Sequence, residues 1–554
     1  MSLFKQQLAK IRPEEKGRKW LFIPYDQLSG EMGPLSREDP KGLGIVLVES
    51  SWKASRRPYH KQKLALIMAN LRHFALEQAR RGVAVRHLIA NGPYHKALKP
   101  LIAELGPLRV MTPAERELRA DLRPLFASGD LIEIPHEGWL TNAELLKASA
   151  KQGPPWRMDG FYRRARRETG ILMEGKEPLG GKFSYDTENR LPWKGAPSAP
   201  ELPIFRVDSI KAEVGTLIER HFSHHPGELN LNAVPATAKD AEKHWTWAKQ
   251  ECLPTFGPYE DAMSIRSRGL FHTRISALLN IHRLLPSRVV TDAARTDLPL
   301  ASKEGFIRQV LGWREFVHHV HGATDGFRKL PGGSPYINRI PGDGGYAHWA
   351  GRAWKQKRTT SDPDGGALPC ALTCETPLAP AFWGTRAGLN CLDQVVATVW
   401  LEGYSHHITR LMILGNIATL LDMSARELTD WFWVAYADAF DWVVEPNVLG
   451  MGTYALGDLM TTKPYVSGAA YISRMSDFCD ECTFNPKDNC PITNLYWAFL
   501  ARHEARLKGN PRLRLPLASL RKRTPSQRRN DRAVFEILRD ALVAGEEVSP
   551  AAFS

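Results

Sequence analysis

The chain has 554 residues, a formal net charge of +14 and a charged fraction of 24%. That length supports two or three domains around a large core, and the basic excess favours a polyanionic partner, nucleic acid before membrane. No apolar run approaches the roughly 20 residues that span a bilayer, the N-terminus lacks an apolar signal core, and seven cysteines do not make a disulfide scaffold. A cytoplasmic protein with no membrane partner is therefore expected.

Residues 1–19 read as a charged extension. Between 20 and 150 two periodicities alternate. The run Lys19–Tyr25 and the apolar runs Ile45–Val48, Val83–Ile89, Leu108–Met111 and Leu131–Ile134 predict strands. Lys63–Arg81, Tyr94–Leu105 and Ala114–Phe126 predict helices, with Leu64, Ile67, Met68, Leu71 and Phe74 at helical spacing on one face. Such alternation predicts an α/β domain, a mainly parallel sheet with helices on both faces, whose ligands sit at the carboxyl ends of strands. No G-x-G-x-x-G follows the first strand, so a nucleotide redox cofactor is not signalled there.

Residues 151–204 read as a connector. The run Arg163, Arg164, Arg166 and Arg167 is a candidate DNA contact or a solvated face. Asp186 and Glu188 are candidate ligands for a divalent ion near a phosphate. From 205 to 525 helical periodicity dominates and predicts a large all-α domain. Ser424–Glu427 reads as a capping box before a helix Leu428–Trp442, and Phe306–Val320 as another helix. Within this domain 325–380 is a Gly/Pro-rich insertion holding Cys370 and Cys374. The chain after Arg506 reads as basic, and residues 526–554 as a C-terminal tail with a short helix, Arg532–Val543, and an unstructured end.

The densest chemistry lies between Trp383 and Cys490. Cys479-Asp480-Glu481-Cys482 brings two sulfurs to one side of a turn, and Cys490 directly precedes Pro491. Zinc and iron–sulfur centres both use this spacing, and a Cys–Pro step is a common last ligand of 4Fe–4S sites. A fourth ligand is required from Cys391, Cys370, Cys374 or Cys252. Cys391 is favoured because it begins a helix-like segment rather than a Gly/Pro loop. A redox pair, plain buried thiols or zinc remain alternatives.

Between these thiols lie Tyr404-Ser405-His406-His407-Ile408-Thr409-Arg410 and an aromatic run from Trp431 to Trp442. Together with the cysteines, this pattern resembles the iron–sulfur bacterial cryptochromes and photolyases, the prokaryotic (6-4) photolyase branch. Other matching runs are His60–Lys63, Gly170–Met173, Gly180-Gly181, Glu188–Arg190, Phe256-Gly257, Asp261–Met263 and Glu304–Glu315. Pro446–Met451, Thr462–Tyr465 and Tyr471–Ser476 follow in the same order, so the likeness runs from about residue 20 to 515.

The resemblance implies FAD inside the helical domain. His272, Thr273 and Ser276 match the flavin-phosphate segment; Gln309, Arg314 and Glu315 match a segment facing the site. Arg410 and Asp438 would pair beside the isoalloxazine, with Asn447 near the flavin edge. It implies a 4Fe–4S cluster on Cys391, Cys479, Cys482 and Cys490. His407, supported by His406, would protonate the lesion. Trp383 and Trp431 match electron-relay positions, while Phe432 stands where a tyrosine is usual. The sheet domain would carry a 6,7-dimethyl-8-ribityllumazine antenna at Asp26 and Gln27, though Pro24-Tyr25 and a Gly/Pro-rich tract at 30–44 depart from the family pattern. The implied activity is light-driven reversal of (6-4) photoproducts in UV-damaged DNA by a monomer. A blue-light receptor with the same cofactors, a cyclobutane-dimer photolyase and a metal-stabilised nucleic-acid-binding protein without photochemistry are the rivals.

Overall fold

The computed structural model describes residues 2–150, 153–330 and 366–553. Five strands form a wholly parallel sheet: β1 (Lys19–Phe22), β2 (Leu43–Ser50), β3 (Ala84–Ala90), β4 (Leu108–Met111) and β5 (Leu131–Ile134). Their order is β3-β2-β1-β4-β5. Every position of β2 is buried, because helices cover both faces of its centre. The chain reverses direction across the sheet between β1 and β4, and such a switch point opens a crevice at the carboxyl ends of the strands. Asp26 and Gln27 follow β1 at that crevice.

The residues expected to be an extension form a helix, Leu3–Ile11, capped by Ser2. Its one deeply buried side chain, Phe4, packs edge-on against His87. The carboxylate of Glu213 accepts from the backbone N–H of Leu3, so the terminus is tied to the sheet domain's outer helix, Ser209–His221. The basic tail is likewise structured. A capping box at Thr524 starts a 20-residue helix, Pro525–Ala544, which packs along Pro491–Leu507 through Val534, Phe535, Leu538 and Leu542. Val548 then donates to the Ala387 carbonyl and Phe553 meets Phe484 at 5.9 Å.

One helix, Lys61–Arg80, joins the two halves, and nearly all of it is buried. His60 caps it by accepting from the Gln62 N–H, while its Nε2 bonds the carbonyl of Trp400 in the helical half. Lys63 lies wholly inside the protein and donates to the carbonyls of Trp433 and Ala439. Burial drives its pKa well below the ordinary lysine value. Unpaired, a cation there would cost several kcal/mol, so these two carbonyls fix the angle between the halves.

The expected helix Leu428–Trp442 is broken. It runs as Ala425–Ala435, leaves helical geometry at Tyr436, and resumes at Asp441–Val444. Ser424 caps its start, but the Glu427 carboxylate reaches across to the Leu378 N–H. The break carries Asp438 out of the helix and into the interior. Phe306–Val320 is continuous but changes winding, with a π-helical segment at Arg308–Arg314. Most of the Gly/Pro-rich insertion lies outside the described residues. Among the described residues no helix is long and apolar enough to cross a membrane.

Candidate active site

The helical half encloses a cavity of about 880 Å³. Three of its walls are π-helical: Arg308–Arg314, Arg410–Gly415 and Glu445–Gly452. Widening a helix by one residue per turn shifts side chains off the 3.6-residue register, and such bulges cluster at functional sites. His272, Thr273, Ser276, Gln309, Arg314, Arg410, Asp438 and Asn447 all line this cavity, brought together from positions up to 175 residues apart.

Arg410 and Asp438 form a two-pronged ion pair at 3.1 and 2.9 Å. The Ser276 hydroxyl donates to the same carboxylate at 2.6 Å, and Asn280 donates to the Asp438 carbonyl. Burial lowers the Arg410 pKa, but Asp438 and Tyr436 more than offset it, so the cation is secure. Arg314 lies 4.2 Å over the Trp139 ring and 5.3 Å from that of Trp442. Burial pushes it down to about 10. Gln309 donates to Glu260 at 2.6 Å, and the Asn447 amide donates to the Val443 carbonyl.

Glu315 differs from expectation. It is fully buried away from the cavity, where its carboxylate accepts from Thr141 and the Leu140 N–H. Glu445 also points elsewhere: His321, Arg426 and Arg328 hold it, well below the usual carboxylate range despite burial. Asn447 is therefore the polar side chain that this segment offers to the cavity.

The two adjacent histidines separate. His407 lines the large cavity, whereas His406 is buried behind it beside a smaller one of about 120 Å³. The rings of His406 and His272 stack at 4.3 Å, and His407 meets His272 edge-on at 5.2 Å. Burial first, and then nearby positive groups, His406 and His407 for His272 and His407 and Arg410 for His406, push both far below the ordinary histidine pKa. Burial also lowers His407, but the charge of Glu260 opposes it. Arg190, Arg474 and Arg512, all exposed, and half-buried Lys463 line the same cavity and give it a basic mouth. In the arginine run, Arg163 and Arg164 pair with Asp159 and Glu168, and Arg166 is buried against backbone carbonyls. Asp186 is tied to Arg190 and Arg308.

Trp383 and Trp431 do not touch directly. Trp400 stands between them, stacked on Trp383 at 5.6 Å and edge-on to Trp431 at 6.0 Å. The N–H groups of Trp400 and Trp431 share one acceptor, the Phe382 carbonyl. Trp431 then meets Phe432, which lines the cavity, at 5.1 Å and Tyr436 at 5.9 Å. Helical spacing alone marks Trp400 as one more core indole, so its place between Trp383 and Trp431 was not evident in the sequence.

Cys391, Cys479, Cys482 and Cys490 converge. Cys391 opens the helix Asn390–Glu402 and Cys490 caps Pro491–Leu507. Burial first, and then the three other thiols, push Cys391 far up; burial raises Cys490 to about 12. Four free thiols near one another, one buried and three half-buried, are the donor set that a metal centre stabilises as thiolates.

Asp26 and Gln27 are both buried, and neither Asp26 carboxylate oxygen has a hydrogen-bond partner. Burial raises Asp26 to about 7. Gln27 donates to the Met111 and Thr112 carbonyls. The adjoining cavity, lined by Tyr25, Tyr59, Lys63 and Glu115, has about 60 Å³ and neither Asp26 nor Gln27 in its wall.

Aligned over its length, the chain is 32% identical to the (6-4) photolyase of Agrobacterium fabrum, covering 93% of this chain and 97% of that one. It belongs to the photolyase-related family. The profile of the deoxyribodipyrimidine photo-lyase-related proteins matches residues 21–233. An uncharacterized protein of Acanthamoeba polyphaga mimivirus is 30% identical over 104 residues, covering 19% of this chain and 81% of that one. Two solved structures share the fold: a class III photolyase from Agrobacterium tumefaciens (TM-score 0.50, 12% identity, 95% of this chain and 98% of that one) and a Synechocystis cryptochrome (TM-score 0.51, 14% identity, 88% and 93%).

Proposed function

We propose that this photolyase-related protein reverses (6-4) pyrimidine photoproducts in UV-damaged DNA with light, using reduced FAD in the 880 Å³ cavity. The observation that carries the reading is that cavity itself. It combines the Arg410–Asp438 ion pair, His407 packed edge-on against His272, and exposed arginines at its mouth, in a chain 32% identical to a (6-4) photolyase. When bound, the flavin supplies one electron to the lesion and recovers it after the bond breaks.

The side chains do the rest. Thr273, Ser276 and Arg410 offer donors and charge for a dinucleotide pyrophosphate and ring. Arg410 and Asp438 place a fixed charge pair that tunes the bound ring's potential. His407, not His406, faces the lesion and delivers its proton. His406 and His272 stack behind it and hold its orientation. Arg190, Lys463, Arg474 and Arg512 bind phosphates, which gives affinity with little sequence preference. A distorted lesion costs less to flip out than a paired base.

Cys391, Cys479, Cys482 and Cys490 would hold a 4Fe–4S cluster, a structural brace between two helix N-termini. Trp383, Trp400 and Trp431 would carry the electrons that reactivate an oxidised flavin, each indole being refilled from the one before it and Trp383 by an external thiol reductant. No step is assigned to an antenna. The protein is taken to act as a monomer in the cytoplasm.

The test is illumination of a chemically reduced, flavin-loaded sample with an oligonucleotide carrying one (6-4) lesion. Release of intact pyrimidines is expected. Flavin-loaded protein that binds the lesion without turnover would instead identify a cryptochrome-like receptor.

A further inference from the structure

A second group of ligating side chains lies outside the cysteine cluster. One atom each from Cys374, Asp422 and His503 lie within 4.8 Å of one another. The Cys374 sulfur is 3.8 Å from Oδ1 of Asp422, and Nε2 of His503 is 2.9 Å from the same oxygen. The Cys370 sulfur lies beside them, 3.5 Å from the Cys374 carbonyl.

These donors come from three separate elements, and each is held. The loop with Cys370 and Cys374 is pinned by Arg506, which donates to the Ala371 carbonyl and the Thr373 hydroxyl. Backbone bonds from Thr376 to the Asp422 carbonyl and from Ser424 to the Thr376 carbonyl lock that loop to the next. Asp422 sits at φ 52, in the left-handed region, and Arg502 binds its Oδ2 at 2.8 Å. Oδ1 is thereby turned toward the sulfur and the imidazole. His503, buried, comes from the last turns of the helix Pro491–Leu507.

We propose that Cys374, Asp422 and His503 bind one divalent cation of the zinc type, with water as the fourth ligand. Thiolate, imidazole and carboxylate are the donors such ions take in tetrahedral sites, with bonds of about 2.0–2.3 Å, which put neighbouring donors about 3.3–3.8 Å apart. The Cys374–Asp422 separation already matches. The His503–Asp422 hydrogen bond opens by a few tenths of an ångström as the ion replaces its proton. One thiolate and one carboxylate neutralise the dication. Cys374 releases its thiol proton to solvent on binding, and the His503 proton moves from Nε2 to Nδ1.

The ion clasps the end of the Gly/Pro-rich insertion to the helical half. It also sits on the same helix as Cys490, 13 positions on, or about 20 Å along the axis at 1.5 Å per residue. One helix thus carries a metal centre near each end.

The experiment is metal analysis of full-length protein, purified with its cluster and flavin under reducing conditions and equilibrated with zinc. About one zinc per chain is expected beyond the iron. Cys374→Ser and His503→Gln each lose it at unchanged iron content. Cobalt(II) bound to the wild-type protein is to show the intense visible bands of a tetrahedral thiolate site, a readout that needs no variant. Absence of zinc, zinc retained by both variants, a weak six-coordinate cobalt spectrum, or a Cys370–Cys374 disulfide in the reduced preparation would each overturn the proposal.

Discussion

The two halves bury charge in opposite ways. In the sheet half the deeply buried Arg72 is clamped by buried Glu49 on one side and half-buried Glu213 on the other. Burial would raise Glu49, but Arg72 and His87 pull it down to about 2. These three side chains hold one another in fixed geometry and brace the sheet against its outer helix. Around the cavity, His272 Nε2 and His406 Nδ1 have no protein partner, and Arg314 is loosened by burial. A native structure tolerates unpaired buried polar atoms where a ligand completes them. Stability is stored in the first half and reactivity in the second.

If so, the same kind of substitution has different readouts in each half. The largest effect is expected at His407. His407→Ala should slow repair by about 10²–10⁴-fold, the usual worth of a general acid, while flavin content stays unchanged. Because burial lowers the His407 pKa, its protonated form is scarce above the ordinary histidine range. The wild-type repair rate should fall as pH rises through that lowered value, and the pH–rate profile of His407→Ala should lack this limb. Next, Asp438→Ala strands a buried guanidinium, at a cost of about 3–5 kcal/mol. Flavin retention after gel filtration should drop with it. Glu49→Ala should cost the same order, about 3–5 kcal/mol, but in denaturant midpoint, with flavin still bound in the folded fraction. Its folded pKa is depressed, so the lost stabilisation is that present above the ordinary carboxylate range and forfeited as pH falls through about 2.

Trp400→Phe should slow photoreduction on the order of tenfold, seen by transient absorption, and leave repair by chemically reduced protein intact. A rate equal to wild type would mean that electrons bypass Trp400. The smallest effect is expected at Asp26, the exception within the sheet half. Its pKa is raised, so its carboxylate costs stability increasingly from the ordinary value up to about 7 and fully above. Asp26→Asn should raise the melting temperature by a few degrees at about pH 8 and do nothing at about pH 4. An equal shift at both pH values would mean that packing, not charge, sets the cost.

Much of this was readable before any coordinates. The strands β2–β5 lie where their apolar runs are, because a parallel sheet buried on both faces needs continuous apolar sequence. The cavity residues were readable too, since His272, Ser276, Arg410 and Asp438 occur in a recognisable order. The helix break at Tyr436 was not. The run Ala425–Trp442 has no proline or glycine to stop it, and the partners that Asp438 finds beyond the break, Arg410 and Ser276, lie far away in sequence. The packed termini were missed for a related reason. Charged residues cover the outer faces of Leu3–Ile11 and Pro525–Ala544, and their apolar faces matter only once another helix lies against them.

The sequence by itself determined the two-part architecture, the family and the residue types that reach the cavity. Periodicity and spacing are local properties, written within a few turns of chain. Tertiary structure alone decided which of two adjacent histidines faces the cavity, that Glu315 turns away from it, and that Trp400 bridges two relay indoles. It also brought Cys374, Asp422 and His503 within reach of one ion. Each of these depends on a π-helical register, a helix break or a long-range packing contact. Such features take their energy from partners distant in sequence, so no window of sequence contains them.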